Sequence, residues 1–125
     1  MHRFLFVIAI GLFAGCMDNG LATNATCPTS NAPTYGSFGQ TFFTTYCIGC
    51  HSANSANRNG APNNINFDTE AEIKAQAADI DSEAASGPDA TNTDMPELDG
   101  PVKSAPTMPQ RVMLGQFLAC EEQGT

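Results

Sequence analysis

The stretch "TTYCIGCHSAN" brings Cys47, Cys50 and His51 within five positions, while the chain's other histidine, His2, stands beside the first methionine. Two thiols and an imidazole on one short turn of chain are nucleophilic and metal-seeking together. A fold that contains them has to be built around whatever they hold.

Three chemistries suit the pattern. A structural zinc ion needs four Cys or His ligands, and once the N-terminal leader that carries His2 is removed only Cys16, Cys27 and Cys120 could complete the set, with no second CxxC. A thioredoxin-like dithiol opens a helix that follows a strand, whereas this motif closes a helical pattern that no strand pattern precedes. In covalent haem attachment the two thiols add to vinyl groups, and the adjacent histidine, held under the ring by that linkage, ligates iron. The pentapeptide CxxCH favours this third chemistry.

Composition limits what can surround the motif. With 125 residues, 42% hydrophobic and 14% charged, the chain suits one small globular domain. A core of that size gains from a cofactor or a disulfide. The formal charge of -8, from 13 acids against 5 bases with no Lys/Arg cluster, argues against nucleic acid as a partner.

The first residues read as a leader rather than as fold. Arg3 precedes the apolar run "FLFVIAIGLF", too short to span a bilayer, and small Ala14 and Gly15 follow it. "LFAGC" resembles the bacterial lipobox, which implies removal of residues 1–15 and acylation of Cys16; the plainer alternative is a secretory signal with an incidental cysteine. Either way the chain is expected to be exported, to a compartment that tolerates disulfides. Residues 16–35, rich in Asn, Thr, Ser, Ala, Pro and Gly, are expected to form a flexible tether with a reach of roughly 25 Å, which leaves 36–125 as the domain.

Three helices are predicted within that domain. Ser37 with Gln40 has the spacing of a capping box, and Phe38, Phe42 and Tyr46 then recur every four residues beside Phe43. Thr69 with Glu72 opens a second helix, whose stripe is Ile73, Ala77, Ile80 and Ala84 and which Gly87-Pro88 ends. Thr107 with Gln110 opens a third, with Met113, Leu114, Phe117 and Leu118 on its apolar side. No stretch alternates well enough for a strand. Two long connections, 51–67 and 87–106, are of a length that wrapping a large prosthetic group would explain.

With these elements in register, roughly residues 36–120 resemble a class I cytochrome c, most clearly the small exported lipoprotein type. Gly39, Phe43 and Cys47 stand four apart, and Leu114, Phe117 and Leu118 answer them from the last helix. The resemblance implies an all-α, cytochrome c-like fold in which three or more helices and long loops wrap one covalent haem c. Gly39 would let the first and last helices cross closely, with Phe43 and Phe117 filling the angle. Cys47 and Cys50 would hold the haem and His51 would ligate its iron. Pro62 would offer its carbonyl to the imidazole N–H. Met95, in "DMPEL", would be the sixth ligand. "TMPQR" also offers Met108, but Thr107 explains that Met-Pro pair as a helix start.

The implied function is one-electron transfer rather than catalysis. A haem-based small-ligand sensor or peroxidase-type enzyme with an open sixth site is the alternative, and a thiol oxidoreductase a third reading. A mature chain of 4 bases and 13 acids, formally -9, implies redox partners with a basic docking face. The protein is expected to be a monomer, periplasmic or on the outer face of a bacterial membrane, held by a lipid anchor. With Cys16, Cys47 and Cys50 assigned, Cys27 and Cys120 remain and are predicted to pair, two free thiols being the plainer alternative.

Overall fold

The computed structural model describes residues 20–124; the expected leader, Cys16 and Met17 lie outside the described residues. A turn of π-helix, Tyr35–Gly39, runs into α1, Gln40–Tyr46; α2 is Glu70–Ala75, α3 Ala77–Ala84 and α4 Met108–Glu122. Among the described residues no strand forms, and a lone bridge between Ser86 and Thr91 is the only extended pairing. The architecture is all-α.

Local chemistry explains where these helices begin. Thr69 accepts from the Glu72 N–H at 3.3 Å and returns its own N–H to the Glu72 carboxylate at 2.9 Å, the reciprocal box expected of that pair. Thr107 and Gln110 do the same for α4. The first helix starts earlier than predicted. Thr34 is its cap, accepting from the Ser37 N–H at 3.1 Å, so Ser37 closes the box instead of opening one. That earlier start brings Tyr35 and Phe38 against the core.

The second predicted helix is two. Gln76, at φ -117° and ψ 15°, breaks the chain between α2 and α3, and Ala85 turns extended two residues before Gly87. Ile73, Ala77, Ile80 and Ala84 all remain buried across the break. Met113 departs from its expected apolar position: it is 43% exposed, whereas Leu114, Phe117 and Leu118 are sealed.

The crossing of the first helix with α4 depends on a missing side chain. A Cβ on Gly39 would lie 2.9 Å from the Phe117 ring, and the Phe43 and Phe117 rings meet at 6.3 Å. The helices approach this closely because position 39 has nothing to interpose.

The described part of the expected tether does not behave as one. Leu21, Thr23 and Ala25 are buried, and Asp89 donates its N–H to the Thr23 carbonyl at 3.0 Å. Thr23 also gives its N–H and its hydroxyl to the buried Asp81 carboxylate of α3. Cys27 is joined to Cys120 near the end of α4, with Cα atoms 4.6 Å apart across 93 residues of sequence. In the chain-entropy description a loop that long makes the bridge worth about 4.5 kcal/mol. Residues 20–35 are therefore a strap fastened across α3 and α4, and the domain begins well before residue 36.

Candidate functional site

The helical path of α1 continues into the cysteine motif. Cys47 and Ile48 donate to the Phe43 carbonyl, then Cys50 and His51 donate to that of Cys47 at 3.1 and 2.9 Å. This coiling puts both thiols and the imidazole on the wall of one apolar cavity of about 390 Å³. Phe42 and Tyr46 of α1 and Ile80 and Ala84 of α3 contribute other walls, with Ile65, Phe67, Met95 and Val102 from the connections.

His51 is held in one orientation. Its Nδ1 lies 3.2 Å from the Ile65 carbonyl, which can only accept, so Nδ1 carries the proton and Nε2 keeps its lone pair. The Phe67 ring leans on the imidazole at 4.9 Å, and the Phe67 N–H donates to the His51 carbonyl at 2.9 Å. Burial lowers the imidazole pKa from its ordinary value; the Ile65 bond opposes that and the charge of Arg58 adds to it. The ring is a neutral donor.

Pro62 does not have its expected role. It borders the cavity, but its carbonyl accepts from Arg58 and from the Ile65 N–H at 3.1 Å. That turn carries the chain three residues further before a carbonyl reaches the ring, and the acceptor is Ile65.

Cys47 and Cys50 are free thiols. Burial, reinforced by Cys50, pushes the Cys47 pKa up to about 12. Burial also raises that of Cys50, helped by Glu97 and Asp99 and opposed by Arg58. A dithiol redox centre needs a thiolate of depressed pKa, so this setting disfavours the oxidoreductase reading.

Met95 is half-buried on the cavity wall, its N–H bonded to the Glu83 carbonyl at 2.9 Å. Its own carbonyl accepts from Arg111 at 2.9 Å, and the same buried guanidinium holds the Ala84 and Asn92 carbonyls at 2.7 and 3.1 Å. Met108 is 48% exposed at the start of α4 and borders no part of this cavity. The residues that sequence reading missed are Arg58, Ile65 and Arg111. The one available signal was that Arg58 and Arg111 are the chain's only arginines beyond Arg3.

The donor set fits a covalently bound haem: two uncommitted thiols, a neutral imidazole with Nε2 open, and an apolar slot among helices and loops. These features define a c-type haem protein. The family model described as Cytochrome c matches residues 37–116, and the chain belongs to the cytochrome c family, whose members hold c-type haem covalently and typically carry electrons. No curated protein and no solved structure matches the chain. Cytochrome c domains are usually exported, and among the described residues no helix is long and apolar enough to cross a membrane.

Proposed function

We propose that the chain is an exported one-electron carrier in which Cys47 and Cys50 hold a single haem and His51 and Met95 are its axial ligands. One observation carries this reading: the four residues, drawn from the motif and from a loop more than forty positions away, border the same cavity. When bound, the haem supplies an iron that alternates between ferrous and ferric states. The Ile65 carbonyl orients His51, and the backbone bonds to Glu83 and Arg111 hold the segment that carries the Met95 thioether. A soft thioether and apolar walls that exclude water both favour the ferrous state.

Exposed Asp79, Glu83 and Glu97 border the cavity, which supports docking to a redox partner with a basic face. A lipid on Cys16, at the outer face of a membrane, and a monomeric state complete the proposal. The test is the intact protein matured with haem-attachment machinery. Its mass should show one covalent haem, and its ferrous spectrum should not respond to carbon monoxide. A carbon monoxide response would favour the sensor or peroxidase-type reading, and a haem-free product would overturn both.

A further inference from the structure

Arg58 donates to five acceptors, all of them neutral oxygens. Nε reaches the Ala61 carbonyl at 3.2 Å; Nη1 reaches the Ser52 carbonyl and Asn66 Oδ1, the latter at 2.9 Å; Nη2 reaches the carbonyls of Pro62 and Ile65, the latter at 2.9 Å. The last acceptor is the oxygen that also faces His51 Nδ1. A carbonyl has two lone pairs, so both donors fit, but they are not independent. A cationic donor binds about twice as strongly as a neutral one and draws on the electron density the imidazole N–H would otherwise meet.

We propose that Arg58 is a positioning residue for His51 that raises the reduction potential of the bound haem. It shares the Ile65 carbonyl with His51 Nδ1 and adds a cation to the cavity wall. The inference rests on the haem site proposed above. A stronger bond at Nδ1 makes a ligating imidazole more basic and favours ferric iron, and a shared carbonyl limits that effect. A nearby cation disfavours the more positive oxidation state directly. Both influences raise the potential. Exposed Glu97 and Asp99 near Cys50, and exposed Asp68, whose pKa Arg58 helps to lower, offset part of that cation, and solvent screens what they contribute.

The experiment uses the haem-loaded full chain, with reduction potential and the ferrous-state proton resonance of His51 Nδ1–H as readouts. Arg58→Gln should lower the potential and shift that resonance downfield with axial absorption bands intact. Arg58→Lys, which keeps the charge, should stay near the parent potential while losing stability. Asn66→Ala, which removes one anchor of the loop and no charge, should lose stability alone. An Arg58→Gln protein with unchanged potential and resonance overturns the inference, as does a fall in Asn66→Ala equal to that in Arg58→Gln. Should Arg58→Gln not retain haem, Arg58→Lys decides: a potential near the parent's upholds the inference and a marked fall overturns it. A parent protein lacking a low-spin haem spectrum overturns the site itself, a failure visible before any variant is compared.

Discussion

Thr23 donates its backbone N–H and its hydroxyl to the two carboxylate oxygens of Asp81, at 2.8 and 2.6 Å, across 58 positions of sequence and out of contact with water. Thr23→Val keeps the shape and the N–H bond but leaves one buried carboxylate oxygen without its donor. A loss of about 2 kcal/mol is expected, measured by urea denaturation with the disulfide intact. A change within error would mean that water takes the place of the hydroxyl.

The two Met-Pro pairs should behave differently in the haem-loaded protein. Met95→Ala is expected to abolish the weak near-infrared sulfur-to-ferric-iron band, lower the potential and open ferrous iron to carbon monoxide. Met108→Ala, at an exposed helix start, should leave all three unchanged. The reverse pattern would transfer the ligand role to Met108.

Gly39→Ala tests the helix crossing. The added methyl would meet the fully buried Phe117 ring at 2.9 Å, closer than a methyl can sit without a shift of one or the other. Despite alanine's better helix propensity, a net cost of about 1–3 kcal/mol is expected. Thermal unfolding of the variant against the parent would read it.

Glu121 provides a pH-dependent contrast. Burial, and then Glu70, raise its pKa from the ordinary 4.5, with Lys74 opposing. Between the unfolded and the folded pKa the folded state binds more protons, so this group's contribution to stability rises as pH falls through the folded value. Glu121→Gln removes the repulsion and should stabilise the protein at neutral pH by about 0.3 kcal/mol, since the site is partly solvated. The advantage should vanish in acid. An equal gain at both pH values would assign it to something other than charge.

Legibility from sequence followed the range of each interaction. The boxes Thr69–Glu72 and Thr107–Gln110 close within one turn, so spacing alone revealed them. The first helix misled because Thr34, Ser37 and Gln40 form two overlapping candidates, and only the fit of Tyr35 and Phe38 against the core selects the earlier one. Cys47, Cys50 and His51 were readable as a contiguous motif, and Gly39 with Phe117 through the family pattern. Beyond the Cys27–Cys120 pair, the strap was not readable. Its Asn, Thr and Ala content is that of a linker, and what buries Thr23 is a carboxylate on α3 that no local pattern indicates. Ile65 was hidden for a related reason: the acceptor for His51 depends on how tightly Arg58 winds the loop, and Pro62 has the more conspicuous side chain.

The strap also sets a height. Leu21 is already buried, so five peptide units separate the fastened chain from Cys16. Even fully drawn out they extend about 18 Å. On the proposed acylation, the domain would ride against the lipid headgroups rather than swing above them on a long leash. Its partners would then have to approach it from the side, moving in the same two dimensions, and the bilayer surface would take part in deciding which face of the protein they meet.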